Sequence, residues 1–221
     1  MAFPEVSETW RMLGWLLTES GRFGEAIHAF KRAGKIKISE LVDKKGIYKP
    51  IKETELAPKP SYFILGSLKA GTTSLSGWMT EHPKILPCID KELAFWDKYK
   101  EAGLDWYQSL FLSVPAGSEL IFGDATPATI LYPGTIGPEL YATYPDLKLI
   151  ILIRNSVDRA FSHYQMAVRN IFTEQSWDEV VQKELSSFLT APLDFDDIQD
   201  KPYQYLVGSC LYPFIKEWLE I

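Results

Sequence analysis

Along the first forty positions, apolar residues recur at helical spacing. Trp10, Leu13, Leu16 and Leu17 form one stripe and Ala26, Ile27, Phe30 and Ala33 a second, with Ser20-Gly21 between them. The pattern predicts a helical hairpin over residues 1–43. Residues 44–60 lose this periodicity and mix Lys, Gly and three prolines (Pro50, Pro58, Pro60), which reads as a linker. From residue 61 onward, short apolar runs alternate with helical patterns. Ser61-Tyr62-Phe63-Ile64-Leu65 leads through Gly66 to a helix over 72–79. Glu119-Leu120-Ile121-Phe122 ends at Gly123-Asp124, and Leu147 to Ile153 lies between Pro145-Asp146 and Asn155-Ser156. Continuous runs of this kind suit buried strands of a parallel sheet. Helical patterns follow over 157–168 and 177–188, and another begins near Tyr212. Alternation of strands and helices predicts an α/β fold with helices on both faces of the sheet. Asp194, Asp196, Asp197 and Asp200 read as a solvated loop.

Composition removes several function classes. The chain has 221 residues, of which 46% are hydrophobic and 24% charged, as in an ordinary globular protein. Charge is unevenly placed: residues 1–60 hold 11 Lys/Arg and 8 Asp/Glu, and residues 61–221 hold 12 and 21, a balance of −9. So acidic a main domain excludes nucleic acid as the expected partner. No apolar run is long enough to span a bilayer and the N-terminus has no signal-peptide order, so a cytoplasmic chain is expected. Two cysteines, three histidines and no CxxC or HExxH leave no basis for a disulfide framework or a catalytic metal.

The most informative stretch is Gly66-Ser67-Leu68-Lys69-Ala70-Gly71-Thr72-Thr73, placed between a strand and a helix. Its glycine spacing is that of a phosphate-binding loop, in which backbone N–H groups and a helix N-terminus face an anion. In an ATPase, lysine directly follows the second glycine; here Thr72 stands there and Lys69 lies inside the loop. The loop is expected to bind phosphate without nucleotide hydrolysis.

Lys69-Ala70-Gly71-Thr72-Thr73-Ser74-Leu75 resembles the 5′-phosphosulfate loop of sulfotransferases that use 3′-phosphoadenosine 5′-phosphosulfate (PAPS). The resemblance implies a P-loop-kinase-like parallel sheet with flanking helices. It implies that Lys69 bridges the donor phosphate and the sulfuryl group, while Ala70, Gly71, Thr72, Thr73 and Ser74 hold the 5′-phosphate. The run Ile151 to Tyr164 is similar to the family's 3′-phosphate motif, which assigns Arg154 and Ser162 to that phosphate. Arg159 is expected to pair structurally with an acid such as Asp158 or Asp124. Asp90-Lys91-Glu92-Leu93-Ala94-Phe95-Trp96 looks like a segment of the carbohydrate sulfotransferases in which a glutamate beside an aromatic pair takes the acceptor's proton. That makes Glu92 the expected base, with its pKa raised by the aromatics. His82, followed by proline, reads as a turn. Asp124, at a strand's C-terminal end, matches an acidic position near the acceptor or the loop lysine.

These matches imply transfer of a sulfuryl group from PAPS to a hydroxyl or amine, without a metal. A carbohydrate acceptor is preferred through the Glu92 segment, with peptide, lipid and phenol open; the −9 balance disfavours a heavily sulfated polyanion. A small-molecule kinase and a non-catalytic interaction module are the alternatives. The order Trp10, Leu13-Gly14, Leu17, Gly21, Ala26, Phe30, Ala33 resembles one tetratricopeptide repeat, which implies either docking on the main domain or a protein partner. Family domains continue past the helix at Tyr212, and a Gly-x-Tyr ahead of that helix is absent here. The resemblance therefore implies that the domain 61–221 is truncated at its C-terminus. Its last stripe, Phe214, Ile215, Trp218 and Leu219, is expected to be left exposed and to drive self-association.

Overall fold

The computed structural model describes residues 6–45, 55–56, 59–115, 119–190 and 205–221. The aspartates at 194, 196, 197 and 200, and most of the 44–60 segment, lie outside the described residues. The chain divides into two compact units. The first comprises Met1–Ile64, Thr73–Thr126 and Tyr144–Ile150, and the second Leu65–Thr72, Pro127–Thr143 and Ile151–Ile221.

In the first unit, helices α1 (Ser7–Glu19) and α2 (Phe23–Lys45) pack along each other and on α4 (Leu104–Ser109). Their apolar stripes meet a cluster of rings. Trp15 lies edge-on to Phe30 and Trp106 with centroids 5.4 and 5.7 Å away, and Phe95 stacks on Tyr107 at 4.7 Å. Buried aromatics on this scale dominate a core energetically, and Trp106, Tyr107 and Phe30 are completely buried. The polar end of Trp106 is satisfied too, donating to the Thr18 hydroxyl at 2.9 Å. A short antiparallel pair, β1 (Glu55–Leu56) with β3 (Val114–Pro115), belongs to the same unit.

The sheet that carries the site has the order β4-β2-β5, with β2 at Tyr62–Gly66, β4 at Gly123–Asp124 and β5 at Lys148–Ile151. β4 runs parallel to β2, with Tyr62 opposite Gly123. β5 is also parallel to β2: Lys148 N donates to Ser61 O at 3.0 Å, and Leu152 N to Gly66 O at 2.7 Å. Every residue of β2 is buried, as a central strand must be. Two strands differ from the sequence pattern. The run over 119–122 contributes a bridge between Ile121 and Ile85 and the Phe122 carbonyl, which accepts from Ser61 N at 2.7 Å; the ladder itself begins at Gly123, opposite Tyr62. β5 is an edge strand among the described residues, so its apolar run is half-covered, and Leu149 stays 41% exposed.

In the second unit, α6 (Ser156–Arg169) starts where Asn155 Oδ1 accepts from Val157 N and Asp158 N at 3.0 and 3.2 Å. Helix α7 (Trp177–Thr190) is opened by a capping box, in which Glu179 Oε2 accepts from Ser176 N at 2.7 Å and Ser176 Oγ from Glu179 N at 3.3 Å. Ala160, Ala167, Val180 and Tyr205 form the core between these segments. The expected exposure of the last stripe is corrected here. In α8 (Tyr212–Glu220), Phe214 and Trp218 are buried in contact with α5 (Pro133–Thr143) and the 3₁₀ turn Pro127–Leu131. Trp218 Nε1 also donates to Ile130 O at 2.9 Å. The covering element is another helix, which periodicity in α8 could not reveal; only Leu219 remains outward. No helix among the described residues is long and apolar enough to cross a membrane.

Candidate active site

The phosphate-type loop follows the end of β2 and is built mostly from backbone. Gly66 is required by space: a Cβ there would lie 2.6 Å from Pro127 O and 2.8 Å from Ile130 Cγ2. Gly71 is required by conformation, at φ +102°. Between them Lys69 occupies the left-handed region at φ 68°, an unfavourable geometry for a residue with a side chain. The loop's base is tied to the end of β5, with Ser67 N and Ser67 Oγ both donating to Leu152 O at 3.0 and 3.2 Å. Ala70 N closes a turn onto Ser67 O at 3.1 Å. Arg154, exposed just past β5, donates from Nη1 to Lys69 O at 3.2 Å, so the two basic residues are brought together. Ser162 sits half-buried on α6, two turns further along the chain.

Arg159 is the loop's internal brace. Its guanidinium is buried and donates to Ser209 Oγ at 2.7 Å, Leu68 O at 3.3 Å and Tyr205 O. The expected pairing with a carboxylate is replaced by two carbonyls and the Ser209 hydroxyl, because the loop and the 205–209 turn present these acceptors to one buried fork. Burial pulls the Arg159 pKa down to about 10. His163, one turn beyond Arg159 on α6, is held neutral with a pKa lowered to about 4 by burial and by Arg159 and Lys69.

The other candidates belong to the first unit. Thr73 and Ser74 are exposed in the first turn of α3 (Thr72–Met79), whose opening residue Thr72 is buried. Glu92 is exposed, and its carboxylate pairs with the neighbouring Lys91. Phe95 and Trp96 are turned into the ring cluster. Asp124 is completely buried, accepting from Tyr107 OH at 3.1 Å and from Thr126 Oγ1 at 2.8 Å. Burial raises its pKa to about 7, against the opposing pull of those two hydrogen bonds. Thr126 Oγ1 also accepts from Ala94 N at 3.1 Å, and Ala94 itself is left-handed at φ 50°. His82 forms a turn, its Nδ1 accepting from Lys84 N at 3.1 Å.

No protein-family model matches the chain. It is 32% identical over 118 residues to the membrane-associated sulfotransferase kil1 of Dictyostelium discoideum, covering 53% of this chain and 25% of that protein. It is 34% identical over 105 residues to human heparan sulfate glucosamine 3-O-sulfotransferase 6, covering 48% and 30%. It is 30% identical over 112 residues to human bifunctional heparan sulfate N-deacetylase/N-sulfotransferase 2, covering 48% and 13%. A crystal structure of a sulfotransferase from Alicyclobacillus acidocaldarius superposes with a TM-score of 0.59 at 28% identity, over 74% of this chain and 69% of that one. In sequence and in fold the chain is similar to sulfotransferases. It spans less than a third of the length of these curated relatives.

Sequence reasoning missed several residues around these candidates. Arg11, Trp15 and Lys37 of the helical pair all contact residues 88–90, which Lys91 separates from Glu92. Nothing local marks them: Arg11 and Asp90 stand 79 positions apart. Tyr107 and Thr126 were also passed over, although Thr126 lies two residues beyond Asp124 in the Gly123-Asp124-Ala125-Thr126 turn.

Proposed function

We propose that this chain transfers a sulfuryl group from PAPS to a hydroxyl or amine of a carbohydrate acceptor. The observation that carries the reading is the loop 66–71, with Lys69 inside it and Arg154 bonded to the Lys69 carbonyl. A tight backbone turn leading into a helix N-terminus, with two cationic residues beside it, suits a substrate rich in phosphate. A lysine inside the loop suits a bridging oxygen that gains charge as the sulfur–oxygen bond breaks. The names of the relatives, which include heparan sulfate sulfotransferases, support a carbohydrate acceptor.

In this reading the acceptor oxygen or nitrogen forms a bond to sulfur while the bond between sulfur and the phosphate oxygen breaks. The acceptor's proton passes to the Glu92 carboxylate, and 3′-phosphoadenosine 5′-phosphate leaves. Lys69 and the loop N–H groups stabilise the charge on the leaving phosphate more than on the bound donor, which is what accelerates the step. Arg154 and Ser162 hold the donor's 3′-phosphate. No step calls for a metal.

Calorimetric titration of the chain with PAPS and with ATP, followed by incubation of PAPS with a glucosamine-containing polysaccharide, tests the reading. Tighter binding of PAPS and labelled sulfate in the polysaccharide are expected. Binding of ATP in preference to PAPS would overturn it.

A further inference from the structure

The segment from Cys88 to Ala94 carries Glu92 yet has no regular secondary structure of its own. What fixes it comes from elsewhere in the first unit: Ile89 N donates to Leu110 O at 2.8 Å and Cys88 Sγ to Gly123 O at 3.1 Å, and the helical pair adds four further bonds. Lys37 Nζ, on α2, donates to the carbonyls of Cys88 at 2.8 Å and Ile89 at 3.1 Å. From α1, Trp15 Nε1 donates to Asp90 Oδ2 at 2.8 Å and Arg11 Nη1 to the same oxygen at 2.5 Å. Three side chains of the pair thus grip three consecutive residues. Beyond Glu92, Ala94 N is bonded to Thr126, and Glu19 of α1 reaches Lys98 at 3.2 Å and Tyr99. Lys91, Glu92 and Leu93 are the short stretch left between these anchors.

The same helices line the space around that stretch. Lys37 lines a cleft of about 360 Å³ together with Thr73, Ser76, Asp90 and Lys91. Trp15 lines one of about 510 Å³ together with Glu92, Lys98 and Tyr99. Lys37 is an expensive way to make a merely structural contact, because burial of the ammonium pulls its pKa down. An irregular segment held by a half-buried cation at one end and a buried hydroxyl at the other has the freedom of its backbone narrowed at both ends.

We propose that the N-terminal helical pair is a positioning element of the sulfuryl-transfer site: Lys37, Trp15 and Arg11 lock residues 88–90 and so set the place of the Glu92 carboxylate. The pair is then an integral part of the site's framework. This rests on the reading of Glu92 as the base.

The test is hydrogen exchange of the full chain, followed by kinetics, for Trp15→Phe and Lys37→Met. Trp15→Phe deletes the N–H donor and keeps a ring, which guards against loss of the fold. Arg22→Ala, which removes an exposed ion pair with Glu25 in the same helical pair, is the control. Exchange over residues 89–94 should rise by roughly tenfold in both test variants, with α1, α2 and the 66–72 loop unaltered, and the control should match the parent. Turnover should fall by about the same factor while KM for PAPS is unchanged. Lys37→Arg should restore most of both. Unchanged exchange over 89–94, or a uniform rise across α1 and α2, would overturn the proposal. Exchange is read without turnover, so an inactive parent chain would sink the sulfuryl-transfer reading while leaving the locking of this segment decided by its own data.

Discussion

The loop 66–71 and the segment 88–94 are both irregular backbone, yet they are held in opposite ways. The loop's path is set by its own residues and only then tied from a distance. Gly66 and Gly71 permit that path and Ala70 N closes a turn onto Ser67 O, before Leu152 anchors Ser67 and Arg159 of α6 braces the Leu68 carbonyl. The segment 88–94 is shaped from outside, by Lys37, Trp15, Arg11 and Thr126, which lie 32 to 79 positions away. The curvature of a glycine turn can be encoded largely locally, because backbone N–H groups are supplied by any residue and only their path must be specified. A part that must aim one carboxylate needs tertiary scaffolding, since a lone glutamate carries no geometry of its own.

The largest effect that would sharpen this contrast is expected at Lys69. Lys69→Ala should lower kcat by roughly 10²–10³-fold, the usual consequence of removing one group aimed at transition-state charge. Pre-steady-state transfer assays on the variant measure it directly, and near-parental turnover would take Lys69 out of the chemistry.

Next comes the buried carboxylate behind the segment. Asp124 has its pKa raised from 3.8 to about 7 in the folded chain, so between those values the folded state holds a proton that the unfolded state has released. Its contribution to stability is therefore greatest in acid and falls as pH rises from about 4 to 7. Relative to Asp124→Asn, the parent should lose about 2–3 kcal/mol across that window, somewhat less than the ideal 1.4 kcal/mol per unit. Urea unfolding of both proteins at a series of pH values follows this difference, and parallel profiles would mean that Asp124 does not titrate there.

Arg154 tests the loop from its other side. Arg154→Ala should weaken PAPS by about 1.5–3 kcal/mol and adenosine 5′-phosphosulfate, which lacks the 3′-phosphate, by much less. Equal losses for the two ligands would assign Arg154 to holding the Lys69 carbonyl instead. The smallest effect is expected for Glu19→Gln at the outer end of the segment's support. Its links to Lys98 and Tyr99 lie in solvent, so the melting temperature should not move measurably, in contrast to Lys37→Met.

The primary structure carries a large part of this molecule. Helix α3 begins at Thr72 and ends at Met79, as its pattern requires, because a glycine loop precedes it and the chain turns after it. The boundary at Asn155 is equally local, a side chain capping its own helix. The glycine spacing of the 66–71 turn was legible because positive φ at Gly71 and close approach at Gly66 are demands made on single residues. Pairing is another matter. The register that moved β4 to Gly123–Asp124, the edge position of β5, and the cover that α5 gives Phe214 and Trp218 depend on which surfaces meet. So do the carbonyls that Arg159 finds, the burial that lifts Asp124, and the grip of Arg11, Trp15 and Lys37 on residues 88–90. Local sequence decides what each short stretch can become, since propensity, capping and turn geometry act over a few residues. Which distant groups share a hydrogen bond or exclude water is decided only when the chain packs, because those energies exist only between surfaces brought together by the fold.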